Sequence, residues 1–169
     1  MAPTKVFIHY LERMYDLLKK VESFDEDILN NRLYPDMFPL LQQAKIAINF
    51  SLRCCCPLSN RDIVSFAQDV LSFPIIFDEL EKSLNYLRSI GEDEFRNMDT
   101  MTISTVAGFA DLKLPGSEYF QLYCVPNFMF HYCMVYALAR QAGVAIGKAD
   151  FDGYHQYPVG FSFAGAGEV

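Results

Sequence analysis

The residues with the clearest capacity for chemistry lie in the last long apolar segment of the sequence. Tyr123, Asn127 and His131 recur there at four-residue steps. Side chains with this spacing lie close to one face of an α-helix and drift about 40° per step. An imidazole titrates near ~6.5, so His131 is suited to general acid or base catalysis. Asn127 and Tyr123 could donate hydrogen bonds to a substrate oxygen, and we interpret all three as catalytic candidates.

A structural interpretation of the same stripe stays open. Pro126 lies within the segment, has no N–H and clashes with the carbonyl of Leu122. The sequence therefore predicts a kink where the stripe begins, which could open a pocket in a helical bundle. In the alternative, Asn127 and His131 satisfy each other and the broken backbone inside a core.

A second group of residues supplies candidates for substrate binding. The group consists of Asp36, Gln43, Asn49 and Tyr136. Asp36 follows a proline and precedes a helix, so it fits either an N-cap or a carboxylate at the mouth of a pocket. Gln43 and Asn49 could face the last helix across the core, and Tyr136 lies just over one turn beyond His131.

The spacing of apolar residues predicts four long helices that must position these candidates. They cover 4–22, Pro39 to about Cys55, near Pro74 to Ile90, and near Ser117 to Gly143. Pro57 is expected to end the second helix. The residues expected to face inward from the first three helices are Phe7, Leu11, Met14, Leu18, Val21, Leu41, Ala44, Ala47, Ile48, Phe77, Leu80, Leu84 and Leu87.

Two shorter elements are predicted between the long helices. Residues 59–72 favour an additional short helix capped by Ser59 or Asn60. The β-branched residues within 99–114, together with Gly108, favour a small hairpin. We therefore expect an all-α fold, an antiparallel four-helix bundle with a small β-hairpin before the last long helix.

Length and composition narrow the class of protein. The chain has 169 residues, is 51% hydrophobic and carries a formal charge of −7. This length fits one domain, which we place at 1–153, followed by a Gly/aromatic tail at 154–169. The apolar content excludes a disordered chain, and the acidic balance argues against nucleic-acid binding. Residues 119–139 carry no charge and could span a bilayer, but their polar residues favour a central helix of a soluble bundle, so no membrane association is expected.

The cysteines favour a reducing compartment. Cys54, Cys55 and Cys56 are consecutive, and the sequence has no C-x-x-C pair. Such spacing cannot form an ordinary disulfide framework. We expect five reduced thiols and a cytoplasmic protein.

Two stretches carry a resemblance to a known family. The first is 32–40 (RLYPDMFPL) with Gln43, and the second is 126–131 (PNFMFH), continuing through 136–140 (YALAR) to 147–151 (GKADF). Together they resemble the family catalogued as domain of unknown function nineteen-ninety-three, in the DinB-like superfamily of metalloenzymes. The resemblance covers roughly residues 4–153 and implies a four-helix bundle.

The resemblance also implies a metal site that this sequence does not complete. The superfamily typically uses three His, one on the second helix and an H-x-x-x-H pair on the last. His131 can stand for the first of the pair, but Val135 takes the second position. The second helix has no His, and Asn49 is its nearest polar candidate. Valine cannot bind a metal and Asn binds weakly, so we expect no metal and no cofactor.

Three functions stay open. The one we favour is a metal-free enzyme that uses His131 for isomerisation, cyclisation or elimination of an apolar or aromatic metabolite bound in the bundle. The second is a metal-dependent hydrolase or thiol-dependent transferase, as the superfamily implies. The third is a non-catalytic ligand-binding or dimer-forming protein, in which an apolar helix face pairs two subunits.

Overall fold

The computed structural model describes residues 1–158 and Phe161, so residues 159–160 and 162–169 of the expected tail lie outside the described residues. The chain is mostly helical with one small antiparallel hairpin. The helices are α1 (Pro3–Phe24), α2 (Leu40–Leu58), α3 (Phe73–Arg88), α4 (Gly116–Gln141) and α5 (Lys148–Asp152), and the strands are β1 (Thr102–Ala107) and β2 (Ala110–Pro115). The predicted hairpin is confirmed, with Thr102 paired to Pro115 and Gly108 at φ 61° in its turn.

The core follows the predicted spacing. Every residue that the apolar periodicity assigned to the interior of α1, α2 and α3 is buried. The most extensive helix–helix contact joins α2 to α4, and α3 packs against both α1 and α2. Because Gln43 lies on α2 and His131 on α4, this main contact positions the candidate site.

The second helix ends at Leu58, one residue beyond the Pro57 that was expected to end it, so this proline lies inside the last turn of α2. A proline in a helix cannot donate to the carbonyl four residues earlier, here that of Arg53. The Tyr119 hydroxyl of α4 donates to this carbonyl instead, at 2.8 Å. A side chain from the neighbouring helix therefore satisfies the backbone group that the proline leaves free.

This compensation predicts a coupling between Tyr119 and Pro57. Tyr119→Phe leaves the Arg53 carbonyl without its donor and is expected to lower the free energy of unfolding by about 1–3 kcal/mol. In a Pro57→Ala background the new backbone N–H can take over, so the same change is expected to cost less. Urea unfolding of the four proteins in a double-mutant cycle measures the coupling. An equal cost of Tyr119→Phe in both backgrounds would contradict it.

The short helix predicted over 59–72 is absent, because residues 61–72 are irregular. Ser59 does not cap a new helix but closes α2, its Oγ donating to the Cys55 carbonyl at 2.8 Å. Asn60 adopts a left-handed φ of 59°, which a helix does not tolerate. The chain therefore turns away after α2.

One turn of π-helix interrupts α4 directly before Pro126. It spans Tyr119–Cys124, and the Val125 N–H donates to the Phe120 carbonyl five residues earlier. A π turn shifts the hydrogen bonds by one residue, and α4 passes through Pro126 without ending. The kink predicted at Pro126 stays a prediction, and the irregularity that the structure shows is a π turn just before this residue.

Among the described residues, α4 alone is long and apolar enough to cross a membrane. In the fold, this helix makes its main contact with α2.

Candidate functional site

A short chain of hydrogen bonds links His131 on α4 to Gln43 on α2. His131 Nδ1 lies 2.6 Å from Gln43 Oε1, and Gln43 Nε2 donates to the Phe38 carbonyl at 3.2 Å. Because the amide nitrogen is used by Phe38, the atom facing His131 is an acceptor, and the proton between them belongs to Nδ1. The bonds therefore fix the Nδ1–H tautomer and leave the Nε2 lone pair for accepting a proton.

Aromatic rings form the surroundings of the partly buried imidazole. The Phe50 ring stacks on it with centroids 6.0 Å apart, and Phe130 meets it edge-on at 5.1 Å. Burial lowers the pKa of His131 below its ordinary value of 6.5, because the charged form loses hydration. The imidazole is therefore neutral at pH 7 and able to act as a base.

The structure gives the other two stripe residues different partners. Asn127 Nδ2 donates to the Tyr123 carbonyl at 2.7 Å, so the amide satisfies the backbone of the π turn. The Tyr123 hydroxyl donates to the Val106 carbonyl of β1 at 3.4 Å, and its ring meets Phe50 at 6.0 Å. Asn127 is thus paired with its own helix rather than with His131.

Two of the expected substrate-binding residues lie apart from this arrangement. Asp36 is exposed in a turn, and because α2 begins after Pro39, Asp36 is not its N-cap. Tyr136 packs edge-on against Phe151 of α5, with ring centroids 5.5 Å apart. Gln43 is the candidate of this group that meets His131 directly.

Asn49 lines a groove of about 400 Å³ beside Phe50. One wall is a face of α2 and the other comes from residues 63–65. Asn49 Oδ1 accepts a hydrogen bond from Ser65 Oγ at 3.2 Å, which joins the two walls. The lining residues are Ile46, Asn49, Phe50, Arg53, Ile63, Val64 and Ser65. Since Phe50 also stacks on His131, one ring connects the groove to the base.

Sequence reasoning named Asn49 but missed the rest of this groove. Ile46, Asn49, Phe50 and Arg53 have the spacing of one helical face. The opposite wall lies in the segment that was expected to be helical, so no sequence signal placed 63–65 against that face.

Glu79 of α3 anchors the segment that forms this second wall. The Gln68 N–H donates to its Oε1 at 2.6 Å, and the Gln68 carbonyl accepts from Lys45 of α2. Glu79 is 1% exposed, and its Oε2 has no hydrogen-bond partner among the described residues. Burial raises its pKa above the ordinary 4.5, although Gln68, Lys45 and Lys82 oppose the shift.

The raised pKa of Glu79 predicts a pH-dependent stability. This carboxyl contributes stability that is complete below its ordinary pKa of 4.5 and is lost as the pH rises through the folded-state value. Glu79→Gln keeps an acceptor for Gln68 but cannot ionise, so we expect it to approach wild type near pH 4 and to be more stable at pH 7. Glu79→Ala removes the acceptor and is expected to cost about 1–3 kcal/mol.

Urea unfolding at the two pH values checks this expectation. Glu81→Gln, an exposed change on the same helix, is the matched control and is expected to have little effect. A Glu79→Gln variant less stable than wild type at pH 7 would contradict the pKa direction.

The fold resembles that of a solved helical protein. It superposes with a TM-score of 0.82 on a structure described as a DinB family member protein from Shewanella denitrificans, at 24% identity and over 92% of each chain. The model of the family "Domain of unknown function (DUF1993)" matches residues 2–152, and the chain belongs to that family. No curated protein matches the chain.

The donor atoms around His131 do not fit the three-His centre that the resemblance implies. The α2 side chain that is hydrogen-bonded to His131 is that of Gln43, and Val135, four residues beyond His131, is completely buried. Over residues 1–158 and Phe161, no group of three or more His, Cys, Asp or Glu side chains is placed to hold a metal ion. A neutral amide and a valine cannot replace two imidazoles as ligands.

Proposed function

We propose that this protein is a cytoplasmic small-molecule enzyme in which His131 transfers a proton without a metal. The observation that carries the proposal is the oriented imidazole: Gln43 holds its Nδ1–H at 2.6 Å, and burial keeps it neutral. In this proposal the four long helices form an antiparallel bundle, and the substrate reaches His131 at the α2–α4 contact. The Phe50 and Phe130 rings favour an apolar or aromatic substrate.

The simplest reaction that these groups support is an isomerisation. His131 Nε2 takes a proton from an acidic C–H bond of the substrate, and the electron pair of that bond moves into the conjugated system. The imidazolium then returns the proton to a different atom of the same molecule, so the reaction needs no co-reactant. Gln43 Oε1 continues to accept from Nδ1–H and stabilises the imidazolium while it exists.

Proton transfer can be detected without knowing the substrate. The purified chain is incubated in D2O with a metabolite extract of the cells that produce it, and mass spectrometry finds metabolites that gain deuterium or rearrange without a change of mass. We expect such changes with wild type and with His9→Gln, but not with His131→Gln. His9 is a matched control because it lies on α1, stacked on Tyr154. Identical spectra with His131→Gln and wild type would overturn the proposal.

An exposed apolar stripe on α4 supports a second role, pairing with a second copy of the chain. The stripe consists of Leu122, Pro126, Phe130 and Cys133, and Leu122 and Phe130 are 71% and 51% exposed. Two copies, each with a formal charge of −7, repel through most surfaces, but no side chain between Tyr119 and Ala139 is charged. A two-fold contact between identical stripes avoids that repulsion and covers both.

Sedimentation velocity of two charge variants tests this pairing. Phe130→Glu places a carboxylate within the stripe and is expected to shift a dimer to monomer. Phe109→Glu changes the same residue type at the fully exposed hairpin tip and is expected to leave the dimer intact. A monomeric wild type, or a monomer that floats with phosphatidylcholine vesicles, would overturn the pairing.

A further inference from the structure

Arg53 supplies the positive charge of the groove beside Phe50. Its Nη2 donates to the Val106 carbonyl at 3.2 Å, and its guanidinium lies 5.0 Å from the centre of the Phe50 ring. No ion pair to Arg53 is found within the described part of the chain. A guanidinium has five N–H donors, so most of them are available to a ligand.

What distinguishes Arg53 is its position in the groove. Arg32, Arg96 and Arg140 also make no ion pair within the described part of the chain, but of these four only Arg53 lines the groove, where it is paired with a backbone carbonyl and an aromatic face. Arg in such a setting is suited to a planar oxyanion, which it binds through two parallel hydrogen bonds.

The rest of the lining indicates what accompanies the oxyanion. Ile46, Ile63 and Val64 give the groove apolar walls, and its volume of about 400 Å³ suits a small metabolite. Arg53 is the one charged residue among those lining the groove. One cation balances a monoanion, whereas the second charge of a phosphate monoester would lack a counter-charge in an acidic protein. These features favour a carboxylate.

We infer that this groove binds the carboxylate end of a small apolar carboxylic acid, with Arg53 holding the carboxylate and Ile46, Ile63 and Val64 covering the alkyl or aryl body. This inference rests on the proposed function, which supplies the reaction, and adds to it the class of substrate. The Phe50 ring contacts both the Arg53 guanidinium and the His131 imidazole. A carboxylate bound to Arg53 therefore lies beside Phe50, the same ring that stacks on the His131 imidazole.

A methyl-detected NMR titration of the full chain tests the groove directly. The probes are 4-phenylbutyrate and 4-phenylbutanamide, which have nearly the same shape and differ in charge. We expect the carboxylate to shift the methyl signals of Ile46, Ile63 and Val64 and to bind about tenfold or more tightly than the amide, as a charged hydrogen-bonded pair predicts. Arg53→Met is expected to remove that preference.

The control is Arg140→Met. Arg140 also donates to a backbone carbonyl, that of Val144 at 3.4 Å, but it does not line the groove, so the preference for the carboxylate is expected to persist. Should Arg53→Met fail to fold, Arg53→Lys keeps the charge and is expected to retain a weaker preference. Equal affinities for the two probes, shifts confined to other methyl groups, or an unchanged preference in a folded Arg53→Met variant would overturn the inference.

The His131→Gln variant separates this inference from the proposed function. His131 does not line the groove, so this variant is expected to bind 4-phenylbutyrate as wild type does. Intact carboxylate binding with turnover that is independent of His131 would overturn the proposed function alone. Turnover that depends on His131 in a protein with no carboxylate preference would overturn this inference alone.

Discussion

Replacing His131 with Gln is expected to lower turnover of the proton-transfer substrate about 10²- to 10⁴-fold, the range lost with a general base. The change removes the Nε2 lone pair, whereas an amide still fills part of the partly buried site. We therefore expect the free energy of unfolding to change by no more than about 1 kcal/mol. Initial rates and urea unfolding of the same preparations separate the two effects. A folded His131→Gln variant with wild-type rates would contradict the role of His131.

The pH dependence of turnover provides a second readout of the same group. The neutral imidazole is the active form, so kcat/KM is expected to rise with pH and reach a plateau, with a midpoint below 6.5 because burial lowers the His131 pKa. The side chains that contact the imidazole are Gln43, Phe50 and Phe130, and none of them carries a charge.

Gln43 provides the means to move that midpoint. In Gln43→Glu, a carboxylate replaces the amide 2.6 Å from Nδ1 and stabilises the imidazolium, so the midpoint is expected to rise by roughly one unit or more. Gln42→Glu, a change on the neighbouring position of α2, controls for added charge. Identical midpoints in wild type and Gln43→Glu would show that His131 is not the titrating base.

The sequence predicted the helices and their buried faces better than it predicted the contacts between one helix and another. Period-3.6 spacing is a local property, so the buried faces of α1, α2 and α3 could be identified residue by residue. Pro57 leaves the Arg53 carbonyl without a backbone donor, and the Tyr119 hydroxyl that satisfies this carbonyl lies 66 residues further along the chain. Local reasoning predicts that a helix ends near a proline, and α2 ends one residue later, but local reasoning does not identify the distant donor that satisfies the freed carbonyl.

At the candidate site, too, the sequence indicated which residues are polar candidates but not which partners they have in the fold. His131 and Gln43 were identifiable as polar groups in apolar helices, but their pairing requires the α2–α4 contact. Asn127 was grouped with His131 because four-residue spacing places both near one face. In the structure Asn127 instead donates to the Tyr123 carbonyl of its own helix, a choice of partner that has no marker in the sequence.

The two phenylalanines on either side of Met129 are expected to differ sharply in their effect on stability. Phe128 is completely buried, with its ring edge-on to Phe7 of α1 at 5.1 Å, whereas Phe130 is 51% exposed beside His131. Phe128→Ala leaves a cavity between α1 and α4 and is expected to lower the free energy of unfolding by about 3–5 kcal/mol. Phe130→Ala is expected to cost no more than about 0.5 kcal/mol. Urea unfolding followed by circular dichroism measures both, and equal losses would contradict the orientation of α4 that presents His131 to the site.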